Sequence, residues 1–506
     1  MWDRCLNDQM FVFQEAELDP ILEIIITSMT PSRSPSQKPV PANILFLAAR
    51  YAHYHANPDL LANLMISAMD KINLKVERHQ WDMTILSFWM SNATLLLHYL
   101  KKDTGLVTST PEFQVQLVEL INEIFILIIR DAERRIDRVL KGSILDHETI
   151  PFDHLEFAGE WNLFKSKNKA QPEPISYKPP PPNKRAKLAP RNVTSLLSST
   201  LFVLDLYDIH SVITNQILAQ LFYWIGAELF NHIISNKTYL ARTKAMNVRM
   251  NVSVLEDWAR TNNRVPEHYE NGSLTTSGET VVDAARKHLT PVIQLLQWLQ
   301  CFSSLDYTNN SLDSLENTLK QLTHLSPHQL LHSISNYRYE KEEKTIPKVA
   351  RKRLSGLQVE AQRRWEQMRR ERDKAAKARS TTQSPTSPSS PNQRNGSQNL
   401  AQAGGHALSD AASTILDDSN DAGFTSENDE EPPSKRLCMD PAHMLQFSLP
   451  TTVDMRLSYG AGYGGVNRER ERKYIPTVPP EFLAKLDVNG SGGAKVEERD
   501  WAKEDD

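Results

Sequence analysis

Apolar side chains recur every three or four positions through most of the first 340 residues. Ile85, Phe88, Trp89, Leu96 and Tyr99 share one face of a helix at this spacing. Residues 112–140 carry a wider apolar stripe, which predicts a helix in the middle of a bundle. Residues 211–235 are apolar nearly all round, which predicts a helix buried on most sides.

Sustained strand patterns are not expected in the same stretches. No segment alternates apolar and polar residues for long, and we find no Asn-Gly pair between strand-like runs. We therefore predict an all-α fold: an elongated multi-helix bundle of two subdomains, with a disordered basic linker and a largely disordered C-terminal region.

Shifts in composition set the predicted domain boundaries. The helical blocks are rich in Leu, Ile, Phe and Trp, and the linker is rich in Lys, Arg and Pro. The segment predicted to lack a fixed structure is rich in Ser, Pro and acidic residues. The predicted parts are an N-terminal helical subdomain, 1–164; a linker, 165–192; a C-terminal helical subdomain, 193–379, with its core at about 210–340; a disordered region, 380–445; and a tail, 446–506.

The C-terminal subdomain ends in a charged helix. Its apolar stripe runs from Leu354 through Ala361 and Trp365 to Met368 and then fades into charge. We expect the first turns to pack and the end to project into solvent, with a short coiled coil as the alternative. Lys and Arg outnumber acidic residues here, so peripheral contact with anionic lipid, or contact with RNA or phosphate, is one alternative, although an exposed charged helix is the commoner case.

The tail regains apolar residues at 473–486 after a long polar stretch. Tyr474, Ile475, Phe482 and Leu483 are the residues expected to dock. Docking on the helices of the same chain is the first interpretation, and a peptide motif for a separate partner is the second.

Residues for catalysis, cofactors or metals form no recognisable group. The formal net charge is −4, and the three cysteines, Cys5, Cys301 and Cys438, are far apart. A Gly-x-Gly-x-x-Gly match at 460–465 lacks the flanking strand and helix of a dinucleotide site. We predict a non-enzyme with no cofactor, no metal and no specific nucleic acid.

No secretory signal or run of about 20 apolar residues occurs, so a cytoplasmic protein without a transmembrane segment is expected.

Two polar segments carry candidate regulatory residues. Lys184, Arg185 and Lys187 follow four prolines and are typical of a nuclear-import cluster, but incidental charge in a linker is the favoured reading. Ser384, Ser387 and Ser390 each precede a proline and are candidate sites for proline-directed kinases.

Four separated segments resemble the dilute (DIL) domain, the globular cargo-binding tail of class V myosins. Residues 84–101 read Phe-Trp-Met-Ser-Asn followed by Leu-Leu-Leu and a closing Leu-Lys, and 213–231 read Gln-(x3)-Gln-Leu-Phe and end in Leu-Phe-Asn. Residues 254–258 are similar to the family's Leu-Glu-x-Trp helix end, and 325–330 to its Leu-Ser-x-x-Gln-Leu turn, with Tyr337 following. Their order and spacing also fit the family.

The resemblance implies packed helices whose grooves bind adaptor peptides and organelle receptors. Because the chain has no motor, no calmodulin-binding motif and no heptad stalk, it looks closest to non-motor fungal members, as a short form or from a gene model that begins late. The implied role is a cargo adaptor or scaffold in trafficking or cytoskeletal organisation, with vesicle, motor or small-GTPase partners, at endomembranes or the cell cortex. A nuclear regulatory scaffold is the alternative.

The residues that carry the resemblance have a mainly structural interpretation. Trp89, Trp224 and Trp258 are expected in the core. Asn92, Gln216 and Gln220 lie on otherwise apolar faces, and their amides are expected to bond backbone groups at helix crossings. The family's cargo residues form no fixed motif, so none is assigned to this sequence.

Overall fold

The computed structural model describes residues 5–149, 187–306, 312–381, 435–450 and 476–484, apart from 271–272, 277, 342 and 481. These residues are almost all helical or in short connections, which confirms the all-α prediction. The helices are α1 Leu18–Leu22, α2 Val40–His55, α3 Pro58–Arg78, α4 Met83–Lys102, α5 Leu106–Ser109, α6 Pro111–Leu140, α7 Pro190–Leu206, α8 Ser211–Ser235, α9 Arg242–Thr261, α10 Val281–Cys301, α11 Asp313–Gln321, α12 Pro327–Asn336 and α13 Lys348–Thr381.

The chain divides into two compact units. The first comprises Met1–Leu305, Asn336–Thr345 and Cys438–Asp506, and the second comprises Asp306–Ser335 and Ile346–Leu437. The first unit contains helices from both sides of the predicted linker at 165–192. The boundaries drawn from composition stay a prediction.

Helix α8 lies in the middle of the first unit. It packs on α6 and α10, and α10 also packs on α9. Leu221, Phe222 and Ala227, on different sides of the helix, are all fully buried. By length and composition α8 could cross a membrane, but 83% of its most apolar window is buried inside the protein. That burial is typical of a core helix.

Helix α4 holds the start of α2 through a buried amide. Asn92 donates from Nδ2 to the carbonyl oxygens of Lys38 and Phe88, at 3.1 and 2.9 Å, and its Oδ1 accepts from the N–H of Ala42 at 3.2 Å. The first N–H groups of a helix lack intrahelical partners, so this contact satisfies one of them. Asn92 therefore does what its sequence position predicted.

A buried ion pair ties α2 to the end of α4. Arg50 Nε lies 3.2 Å from Asp103 Oδ2, and both side chains are fully buried. Asp103 Oδ1 also accepts hydrogen bonds from Tyr54 Oη at 2.8 Å and from the N–H groups of Gly105 and Leu106 at 3.1 and 3.0 Å. The Asp103 carboxylate thus has two roles: it neutralises the buried Arg50 cation, and it accepts hydrogen bonds from the N–H groups at the start of α5.

One short hairpin departs from the sequence interpretation. Strands β1, Glu267–Glu270, and β2, Ser273–Thr276, pair antiparallel, with Glu270 opposite Ser273. The two residues between them are Asn271 and Gly272, which lie outside the described residues. Asn-Gly is the strongest short hairpin signal, so the statement that no such pair separates strand-like runs was wrong.

The second unit is organised around the start of α13. Arg353 Nε lies 3.2 Å from Glu316 Oε1 of α11, and Gln358 Nε2 lies 3.2 Å from His328 Nδ1 of α12. Leu354 is fully buried, whereas the Met368 side chain is 61% exposed. This is the arrangement expected from an apolar stripe that fades along the helix.

Candidate peptide-binding site

Four polar side chains lie on one face of α8. Gln216, Gln220, Tyr223 and Asn231 are separated by four, three and eight residues. At about 100° of helix rotation per residue, these spacings keep all four within an arc of about 80°. An otherwise apolar helix therefore presents a row of hydrogen-bonding groups along one side.

This row binds the main chain of the segment Cys438–Pro450, which is extended apart from a turn at Pro441-Ala442. We call this segment the strap. Gln216 Nε2 donates to the Ser448 carbonyl at 2.9 Å, while its Oε1 accepts from the Ser448 N–H at 2.8 Å. Asn231 bonds Met439 in the same way: its Nδ2 donates to the Met439 carbonyl at 2.9 Å, and its Oδ1 accepts from the Met439 N–H at 2.7 Å. Each amide thus pairs with a residue as a neighbouring β-strand would.

The middle of the strap is held by Gln220 and Tyr223. Gln220 donates to the His443 carbonyl at 2.9 Å and accepts from the Leu445 N–H at 2.8 Å. Tyr223 Oη donates to the Asp440 carbonyl at 2.8 Å. The strap therefore runs antiparallel to α8, because Ser448 lies at the start of the helix and Met439 near its end.

Alternate strap residues face the helices. His443, Leu445, Phe447 and Leu449 are half-buried, whereas the residues between them are exposed. Phe447 stacks on Phe125 of α6, with ring centroids 4.2 Å apart. This period of two is that of a β-strand lying on a surface. The main chain supplies the hydrogen bonds, and the inward side chains supply the apolar contacts.

The groups beneath the strap keep a fixed protonation state at neutral pH. Burial raises the pKa of Tyr223 to about 12, and the charge of Asp440 adds to the shift, so the hydroxyl keeps its proton and can donate. The Tyr223 ring meets His288 of α10 edge to face, with centroids 5.7 Å apart. Burial lowers the pKa of His288 to about 4, helped by the charge of Lys287, so this imidazole is neutral.

Two carboxylic acids lie where α6 packs on α8. The pKa of Glu133 is raised to about 7, mainly by burial; the charge of Arg130 opposes this shift, and the charge of Glu228 adds to it. Burial also raises the pKa of Glu228, with His232 lowering it and Asp137 raising it. The folded protein therefore binds protons here more tightly than the unfolded chain does.

As pH rises from about 4.5 to about 7, the wild type should lose stability because Glu133 ionises in a buried position. Glu133→Gln should remove this loss. The folded pKa of Glu133 lies above its ordinary value of 4.5, so its contribution is full at low pH and falls as pH rises to about 7. The variant should be more stable than the wild type at pH 8 by roughly 1–2 kcal/mol, a value reduced for the partly exposed position. Urea midpoints at pH 5 and pH 8 measure this.

The exposed Glu119 on the same helix provides the control for that experiment. Glu119→Gln should leave the difference between the two midpoints as it is in the wild type. An equal pH dependence in Glu133→Gln and the wild type would contradict the assigned cause.

A second C-terminal segment contacts the first unit near the start of α2. Asn43 Nδ2 donates to the Thr477 carbonyl at 2.8 Å, and Asn43 Oδ1 accepts from Tyr99 Oη at 3.0 Å. Phe482 is buried, whereas Leu483 is 38% exposed. Tyr474 and Ile475 lie outside the described residues. The structure thus brings one of the four predicted docking residues into the protein interior.

The other sequence-derived candidates lie apart from this site. Lys187 is exposed just before α7, while Lys184 and Arg185 lie outside the described residues. Ser384, Ser387 and Ser390 also lie outside them, as does the glycine-rich run at 460–465. Within the described ranges, no three His, Cys, Asp or Glu side chains are grouped to hold a metal ion.

Sequence reasoning missed the strap and misread its partners. Residues 380–445 were predicted to lack a fixed structure, but 438–445 lie on α8. Gln216 and Gln220 bond backbone groups as expected, but those groups belong to the strap and not to a crossing helix. The detectable signal was the alternation of His443, Leu445, Phe447 and Leu449 within polar surroundings.

Comparison with known proteins places α8 at the start of a recognised domain. The DIL domain model matches residues 216–341, beginning at the first amide of the row. A dilute domain-containing protein of Schizosaccharomyces pombe is 32% identical over 361 residues, covering 70% of this chain and 60% of that protein. Unconventional myosin-Va of Gallus gallus is 27% identical over 307 residues, covering 55% of this chain and 15% of that protein.

A solved structure agrees at the level of the fold. Myo2-GTD in complex with Mmr1 superposes with a TM-score of 0.50 at 13% identity, covering 68% of this chain and 82% of that one. Residues 216–341 are therefore a DIL domain, in a chain similar to fungal dilute domain-containing proteins and to part of unconventional myosin-Va.

Proposed function

We propose that this chain is a non-catalytic protein–protein interaction module, acting as a cargo adaptor or scaffold in intracellular trafficking or cytoskeletal organisation. One observation carries the proposal: the side-chain amides of α8 hold an extended peptide main chain along the helix. A helix face that binds one extended segment has the chemistry to recognise peptides.

The relatives support the same reading. The chain contains a DIL domain and is similar in sequence to the dilute domain-containing protein of S. pombe and to unconventional myosin-Va. Myo2-GTD, which has a similar fold, was solved in complex with the protein Mmr1. By analogy we expect protein partners for this chain, at endomembranes or the cell cortex.

Proximity labelling in cells tests this function. The full chain fused to a labelling enzyme should enrich endomembrane, motor or cortical proteins over an untethered enzyme. Enrichment of none of these classes would overturn the proposal, and so would enrichment confined to nuclear proteins.

A variant of the basic cluster separates the trafficking function from the nuclear alternative. Replacing Lys184, Arg185 and Lys187 together by Ala removes the charge that an import receptor would bind. We expect the same labelled partners for this variant as for the wild type. Nuclear proteins that are labelled by the wild type and no longer by this variant would favour the nuclear scaffold.

A further inference from the structure

The strap is bound mainly through features that any extended peptide shares. Gln216, Gln220 and Asn231 each bond a carbonyl and an N–H of the strap main chain, and Tyr223 bonds another carbonyl. These contacts require an extended backbone with N–H groups at three positions, and they do not require the strap's own side chains. A chain from another molecule could satisfy the same amides.

Two aromatic contacts provide the side-chain selection at this face. Phe447 stacks on Phe125, and His443 meets the Tyr223 ring edge to face at 5.5 Å. The inward strap residues from His443 to Leu449 are only half-buried, so each removes less apolar area from water than a core residue does. Burial against a helix face retains a segment in proportion to the apolar area removed from water.

The dimensions of the two elements match over the whole row. Gln216 and Asn231 are 15 residues apart on α8, a rise of about 22 Å. Their partners Ser448 and Met439 are nine residues apart; nine extended residues would span at most about 30 Å, and the turn at Pro441-Ala442 shortens that reach. A peptide of about a dozen residues therefore covers the face.

We propose that this α8 face is a docking site for an extended peptide segment of a partner protein, and that the strap is its built-in competitor. The partner segment carries an aromatic side chain at the Phe447 position. It has residues other than proline at the positions of Met439, Leu445 and Ser448, because those three N–H groups are bonded. The inference rests on the proposed function and specifies its binding surface.

Competition follows from the covalent link between the strap and the helices. A tethered segment acts at a high effective concentration, so a peptide in solution binds weakly while the strap is seated. A partner gains access when it binds elsewhere on the chain as well, or when the strap is released. Loss of the strap should therefore raise the affinity for a free peptide.

Peptide binding to the full-length chain tests the proposal. The probe is a fluorescent synthetic peptide with the sequence of residues 438–450, measured by fluorescence anisotropy. The variant L445P/S448P removes two N–H donors of the strap and leaves α8 unchanged. We expect this variant to bind the probe at least 10-fold more tightly than the wild type does. Equal affinity, or no binding to either protein, would overturn the proposal.

Matched variants show whether the probe occupies α8. M444P/Q446P puts two prolines at exposed strap positions whose N–H groups bond none of the three amides, so it should behave like the wild type. Adding Gln216→Ala and Gln220→Ala to L445P/S448P should abolish the gain in affinity. Circular dichroism establishes that each variant is folded. Binding that persists without the two glutamines would place the peptide elsewhere and overturn the proposal.

Two further measurements identify the occupant. A probe with Ala in place of Phe447 should bind about 10-fold more weakly, because the ring stack is lost. Light scattering should give the same mass for the wild type and L445P/S448P. A wild-type dimer that dissociates in L445P/S448P would make a second copy's strap the occupant and overturn the proposal. Failure of peptide binding would leave the proximity-labelling result, and with it the proposed function, intact.

Discussion

Replacing Asp103 by Ala should lower the free energy of unfolding by about 3–5 kcal/mol. The change leaves the Arg50 guanidinium fully buried without the carboxylate that lies 3.2 Å from its Nε. It also removes the acceptor for Tyr54 Oη and for the N–H groups that begin α5. A buried cation without its partner is among the most destabilising changes a folded chain can undergo.

A double-mutant cycle measures the interaction free energy between Arg50 and Asp103. Arg50→Met in the Asp103→Ala background removes the uncompensated charge, so the double variant should lose less stability than the two single changes added together. The Arg50 guanidinium carbon lies 5.7 Å from the Phe46 ring centroid. A Met side chain also packs favourably beside an aromatic ring, so it suits this position.

Denaturant midpoints followed by circular dichroism measure these effects. The control is Asp257→Ala, which removes one partner of an exposed ion pair with Arg260. Exposed pairs contribute about 0–1 kcal/mol, so its midpoint should hardly change. Similar losses in Asp103→Ala and Asp257→Ala would contradict the role assigned to the buried pair.

Helical periodicity was enough to predict the all-α class and the central position of α8. The apolar character of residues 211–235 on every side requires burial, whatever surrounds them. The same reasoning says that the amides of Gln216 and Gln220 need partners, but it cannot say which. Those partners lie more than 220 residues further along the chain, and no local pattern specifies so distant a pairing.

The buried ion pair is a second contact between distant residues that the sequence alone could not predict. Arg50 follows an apolar run and Asp103 ends a helix, and each alone is compatible with a solvated position. Only the packing of α2 against α4 brings the two charges together. The hairpin is different, because Asn271-Gly272 is a local signal that was present and was overlooked.

Gly226→Ala should destabilise the protein by about 2 kcal/mol or more, through overpacking between α8 and α10. A Cβ atom added at Gly226 would lie 2.3 Å from the carbonyl oxygen of His288 and 3.3 Å from its carbonyl carbon. Both are main-chain atoms in the middle of α10, so no side-chain rotation relieves the contact. The helices would have to separate, which would also disturb the packing of Tyr223 on His288 beneath the strap.

Gly356→Ala in α13 is the matched control, because both glycines lie within helices. A Cβ atom at Gly356 would meet nothing within 4 Å. That change should therefore stabilise its helix by roughly 0.5–1 kcal/mol, the ordinary gain of Ala over Gly. Thermal unfolding of the two variants should shift in opposite directions. A shift of the same sign in both would mean that α8 and α10 tolerate a methyl group between them, and that the close approach at Gly226 does not hold the strap-binding face in place.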